Sequence, residues 1–275
     1  MKPTQKEMNQ KYRIGTTSYI VEAGLDENAA YLANKVQDMQ LVLFDVEGGP
    51  CNFPSPDMVA KLQDVTANHD FTYTVHLPLD IRLADNGSTD HVSMLQAERV
   101  IEMTRELRPF SYILHLDGRS ILPPDTTKTA FRNWQDNAVR ALEVLADWVG
   151  DPALLAVENL EGYPLDLLPP IVERVPISRC IDIGHLWLDG HDPLPYLQES
   201  LPRTRVIHLH GLNGRDHQSL AHMSPAQIDP VLQCLQIAEF DGVLTLEIFG
   251  QVDYDSSMQA LAASLTRLND SRRDV

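Results

Sequence analysis

Short runs of β-branched and aromatic residues alternate along the chain with longer stretches whose apolar positions recur at helical spacing. The short runs are RIGTTSYI from Arg13, LVLFDV from Leu41, FTYTVHL from Phe71, SYILHL from Ser111, LLAVENL from Leu154, RCIDIGH from Arg179, RVIHLHG from Arg205 and VLTLEIFG from Val243. Amphipathic helices are predicted between and after them, near 26-37, 55-69, 90-107, 127-149, 165-174, 193-201, 224-239 and 254-269. This alternation is the pattern of repeated βα units around a parallel sheet. Ser55, Asp192 and Ser224 each stand directly before a proline, which puts a capping side chain ahead of a residue suited to the first helical turn.

Eight strands and eight helices in strict alternation predict an α/β chain closed into a (β/α)8 TIM barrel, because open doubly wound sheets commonly stop at five or six strands. The first strand runs into GTTSYIVEAG, which lacks the GxGxxG of a dinucleotide site. No long linker or low-complexity tract interrupts the rhythm. The 275 residues, 43% hydrophobic, therefore read as one barrel domain over 1-275, with a polar segment at about 1-11 and a frayed tail at about 270-275.

Charge and cysteine usage narrow the partners. The 39 acidic against 22 basic residues give a formal charge of -17, which argues against a binder of nucleic acid, since such proteins track phosphates with a basic face. No stretch approaches the roughly 18 apolar residues of a membrane span, and the first residues lack the apolar run of a signal peptide. Cys51, Cys180 and Cys234 are widely spaced and form no CxxC pair, as expected of a reduced, cytoplasmic protein. A small-molecule substrate is the expected partner; nothing in the pattern specifies an oligomeric state.

Candidate chemistry follows from the barrel, whose active sites lie at the carboxyl ends of the strands. There the third strand carries His76, the fourth His115, the fifth Glu158, the sixth Asp182 and then His185, the seventh His208 and the eighth Glu247. Taken singly, a histidine in TVHL or YILHL reads as a hydrogen-bonded core residue. Glu158 and Glu247 do not, because a carboxylate buried after AV or TL needs a cation or a donor to meet it. Mixed imidazole and carboxylate ligands suit Zn2+, Mn2+ or Fe2+ better than Mg2+ or Ca2+. Seven such residues exceed the needs of one tetrahedral ion, so two ions sharing a carboxylate are expected, or one with some of the residues in supporting and substrate roles. The loop HLHGLNGRDHQSL after the seventh strand adds His217 as a further ligand and His210, Arg215 and Asp216 as candidate substrate contacts. Asp45, placed at the end of the second strand, is another candidate contact.

This constellation resembles the xylose-isomerase-like barrel superfamily, which includes endonuclease IV and the ketose 3-epimerases. In the endonuclease IV branch the metal ligands match His76, His115, Glu158, Asp182, His185, His208 and Glu247, with Glu158 at the place of a metal-bridging glutamate. A third ion in that branch uses an Asp and a His one residue apart; here His217 takes the histidine's place and Arg215 stands at the aspartate's. Within the superfamily the segments RIGTTSYI, LVLFDVEG, TYTVHLPLDIRL, FSYILHLDG and HLHGLNGRDHQSL are most similar to the cobamide-remodelling phosphodiesterases, the CbiR family. That resemblance implies two or three divalent ions and hydrolysis of the phosphodiester in the nucleotide loop of a cobamide, giving cobinamide phosphate and an α-riboside. Glu158 and Glu247 are the candidate catalytic carboxylates. The alternatives are a metal-dependent sugar isomerase or epimerase, in which Glu158, Asp182, His208 and Glu247 hold one ion, and a non-catalytic corrinoid-binding module.

Overall fold

The computed structural model describes residues 10–123 and 126–273; most of the predicted polar segment at 1-11 and the last two residues of the predicted tail lie outside them. Its eight strands are β1 (Arg13–Thr17), β2 (Asp38–Val42), β3 (Thr72–His76), β4 (Ser111–Leu114), β5 (Leu155–Glu158), β6 (Ser178–Asp182), β7 (Thr204–Leu209) and β8 (Val243–Leu246). All neighbours are parallel, and β1 pairs with both β2 and β8, so the sheet closes on itself in chain order. The predicted barrel is the observed one.

Around it lie α1 (Leu25–Leu32), α2 (Pro56–Asn68), α3 (Val92–Thr104), α4 (Lys128–Val149), α5 (Pro169–Val172), α6 (Ile183–Leu188), α7 (Pro193–Ser200), α8 (Pro225–Ile237) and α9 (Gln251–Arg273). The caps act as their residue types dictate: Ser55 accepts from the Met58 N–H at 3.3 Å and Asp192 from the Leu194 N–H at 3.1 Å. At α8 the Gln227 side chain accepts from the Ser224 N–H at 3.1 Å. The last helix continues to Arg273, past the point where fraying was expected.

Two boundaries differ from the sequence reading in ways that matter. Strand β2 begins at Asp38, three residues before the apolar run LVLFDV, because a barrel strand can carry polar side chains on its inward face. Strand β6 ends at Asp182 and turns at once into α6, where the strand pattern suggested extended chain through His185. The Asp182 carboxylate caps this helix, accepting from the His185 N–H at 2.7 Å.

Strand alternation sets the layers. Ile113, Ala156, Cys180 and Val206 form an apolar cluster of their own, separate from the main core between sheet and helices. The next inward residue on each of their strands is His115, Glu158, Asp182 and His208. One residue spacing thus makes both the plug and the polar ring above it.

Candidate metal centre

Glu158 is the centre of that ring, and its two oxygens face different partners. Its Oε2 lies 3.3 Å from His115 Nε2 and 3.5 Å from His76 Nε2. Its Oε1 lies 3.1 Å from His208 Nδ1. His208 Nδ1 is also 2.9 Å from Glu247 Oε2 and 3.8 Å from Asp182 Oδ2. Two donor sets therefore share one carboxylate: His76, His115 and Glu158 on one side, and Glu158, Asp182, His208 and Glu247 on the other.

Burial makes these charges interdependent. Desolvation alone would raise the Glu158 carboxyl, but His208 beside it and hydrogen bonds from His115, His208 and His76 hold it well below the usual carboxylate range. Glu247 is likewise raised by burial and lowered further by His208 and His217, with a net shift well downward. Burial would depress the imidazoles, yet Asp80 and Glu158 push His115 up to about 10, and Glu247, Asp182 and Asp216 push His217 up to about 9. His208 is raised well above its ordinary value by the Glu158 and Glu247 carboxylates against the same burial. Carboxylates and imidazoles so paired exchange protons for a cation when one binds.

A divalent cation fits these residues on two observations. The donor atoms of each set lie within 4.8 Å of one another. Asp182 Oδ2, in a residue that is completely buried, has no hydrogen-bond partner, a cost relieved by a cation in reach. Cys180 also lies within reach of Glu158 and His208, but burial pushes its thiol up, so it is a poor source of thiolate.

Above the ring, helix α6 lifts His185 one turn from Asp182, and the loop after β7 brings His217 over it, with ring centroids 5.7 Å apart. His217 Nε2 is 3.3 Å from Glu247 Oε2 and its Nδ1 is 3.1 Å from Asp216 Oδ2. His217 holds a φ of 50°, a left-handed conformation uncommon for any residue but glycine, and its N–H donates to His210 Nδ1 at 3.1 Å. An open cavity of about 300 Å³ at this face is lined by His76, His115, Glu158, His185, His217 and Glu247 and by Asp80, Glu161, Tyr163 and Asp216.

The remaining expected contacts separate. Asp216 lines the cavity, whereas Arg215 is exposed in the same loop and is not among the lining residues. His210 is completely buried; its Nδ1 lies 3.1 Å from the His217 backbone nitrogen and 3.2 Å from the Gly211 carbonyl oxygen, and its Nε2, 3.2 Å from Asp182 Oδ1 but without a hydrogen-bond partner, joins Asp182, His185 and His217 in a third donor set. Gly184 is what lets it in: a Cβ there would come within 2.1 Å of the His210 ring. Asp45 lies beyond β2, pairs with Arg99 at 2.9 Å and does not line the cavity, because the strand ends earlier than its apolar run suggested.

Three groups escaped the sequence reading. Asp80 holds His115 Nδ1 at 3.2 Å, Glu161 lies 3.4 Å from His185 Nε2, and Gln40 touches both His208 and Glu247. Asp80 and Glu161 sit in loops four and three residues past His76 and Glu158, a proximity that would have signalled them.

A closed eightfold barrel with imidazole and carboxylate donors ringed at its carboxyl end has the donor chemistry of a candidate metal site. The chain belongs to the xylose isomerase-like TIM barrel family, whose model matches residues 39–269. No curated protein matches it in sequence. Among solved structures it is similar to a D-tagatose 3-epimerase-like protein, with 18% identity, a TM-score of 0.71 and coverage of 94% of this chain and 99% of that one. Endonuclease IV from Thermus thermophilus gives 18% identity, a TM-score of 0.66 and coverage of 93% and 99%. D-psicose 3-epimerase, crystallised in the presence of D-fructose, gives 14%, 0.66, 92% and 98%. Identities this low establish the shared fold. Among the described residues no helix is long and apolar enough to cross a membrane.

Proposed function

We propose that this chain is a metal-dependent phosphoric diester hydrolase, and that its substrate is the nucleotide-loop phosphodiester of a cobamide, cleaved to cobinamide phosphate and an α-riboside. The observation that carries the hydrolytic reading is Glu158 facing two donor sets at once, since a one-ion site does not need His76 and His115 as ligands. Divalent cations bound there supply Lewis acidity to a phosphoryl oxygen and to the attacking water. The residues do the rest. His76, His115 and Glu158 would hold one cation and Glu158, Asp182, His208 and Glu247 the other, with Asp80 fixing the His115 ring. Water attacks phosphorus in line with the ribosyl oxygen, forming one P–O bond as the other breaks; Glu158 or Glu247 accepts the water's proton, and the departing oxygen is protonated. The cobamide rests on the sequence resemblance alone.

Sugar epimerisation is the second reading. The four-residue set Glu158, Asp182, His208 and Glu247 could hold one ion unaided, leaving the two glutamates to move protons beside a carbonyl, and most of the similar solved structures are named as epimerases. The decisive experiment incubates metal-loaded protein with adenosylcobalamin, and separately with ketohexoses, and resolves the products by chromatography. Cobinamide phosphate with unchanged sugars supports hydrolysis. Epimerised sugar with intact cobamide overturns it, and binding of cobamide without turnover under Zn2+, Mn2+ and Fe2+ would favour a corrinoid receptor.

A further inference from the structure

Gln40 is completely buried in β2, the next inward residue after Asp38, and its carboxamide lies between two groups of the ring. Its Oε1 is 2.8 Å from His208 Nε2, and its Nε2 donates to Glu247 Oε1 at 2.8 Å. Chemistry fixes the direction of the amide. An ionised carboxylate only accepts, so Glu247 takes the N–H end, and the carbonyl end is left for His208, whose Nε2 must then carry hydrogen. His208 Nδ1 is thereby presented to Glu158 Oε1 and Glu247 Oε2, at 3.1 and 2.9 Å, where the donor atoms converge.

We propose that Gln40 is a positioning residue of the cation centre, one carboxamide selecting the tautomer of His208 that ligates through Nδ1 and tying back Glu247 Oε1 so that Oε2 faces the mouth. Residues that hold metal ligands in this way matter to affinity even though they never touch the ion. The role rests on the metal-centre reading and is independent of which reaction the centre performs.

Chelator competition with Zn2+ and Mn2+ alone tests it, on wild type and on Gln40→Met, which keeps the length and removes both hydrogen bonds. The variant should bind one class of ion roughly 10- to 100-fold more weakly. In the Zn2+-loaded protein, long-range 15N spectra should give wild-type His208 a hydrogen on Nε2 alone, and the variant should lose that single-tautomer signature. A structural role would lower the melting temperature and leave affinity and ring spectrum unchanged, which overturns the proposal. Should Gln40→Met fail to fold, Gln40→Asn withdraws the amide by one methylene, and unchanged affinity there overturns it equally. Wild type that takes up no cation removes the metal centre itself, whereas uptake by both proteins with equal affinity removes only the role of Gln40.

Discussion

At the mouth of the barrel Glu158, Asp182 and Glu247 are buried and held ionised, while at the floor Asp38 is just as buried and burial pushes its carboxyl up to about 7. The floor carboxyl meets hydroxyls, accepting from Thr72 Oγ1 at 2.7 Å and Thr74 Oγ1 at 2.9 Å. The cation that acts on it, Arg13, is engaged by the Gln37 carbonyl and Asp70. At the mouth the partners are imidazoles that themselves accept a proton. Equal burial with different partners thus gives opposite shifts, and only the mouth is arranged to exchange protons for a metal.

The largest effect expected is at the shared carboxylate. Glu158→Gln keeps the shape and removes the charge from both donor sets, so activity should fall by at least about 10^3-fold, with metal analysis showing both ions lost. Retention of one ion at full affinity would mean that the two sets do not depend on one bridge. Proton competition comes next. Because without metal His115 lies at about 10 and His208 well above its ordinary value, affinity for Zn2+ should rise roughly tenfold per pH unit for each proton displaced, levelling off as the pH passes those values. Calorimetry in buffers of different ionisation enthalpy would detect the released protons; a flat affinity from about pH 6 to 8 would contradict the assignment. Asp80→Asn weakens the hold on His115 and should reduce affinity at the His76 side roughly 10-fold.

The smallest effect on metal binding belongs to the floor. The folded Asp38 lies above its unfolded value, so its contribution to stability is complete below about pH 4 and is lost as pH rises through about 7. Asp38→Asn should gain on wild type by roughly 2–3 kcal/mol between about pH 5 and about pH 8, measured by denaturant unfolding of the metal-loaded proteins. A mutant less stable at both values would show that the threonine pair requires a carboxylate.

Strand alternation and the strand-end rule made the barrel and six of the ring residues, from His76 to Glu247, readable in the chain, because each lies on an apolar strand. Gln40 was hidden for the opposite reason: β2 is polar on its inward face, so apolar content placed the strand too late and carried Asp45 onto it. Helix α6 was missed because its start depends on the Asp182 side chain capping the turn, a tertiary choice that IDIGH does not display. The part played by His210 was likewise invisible, since it depends on Gly184 leaving room for a ring that arrives from the next strand.

The apolar plug of Ile113, Ala156, Cys180 and Val206 bears on how such a scaffold diversifies. It fills the barrel independently of the residue that follows two positions later on each strand, so a ring position can be exchanged with little loss of packing. Losing His115, which follows Ile113, would leave the four-residue set of Glu158, Asp182, His208 and Glu247 in an intact barrel. On such a ring the donor set can change one inward side chain at a time while the architecture stays fixed.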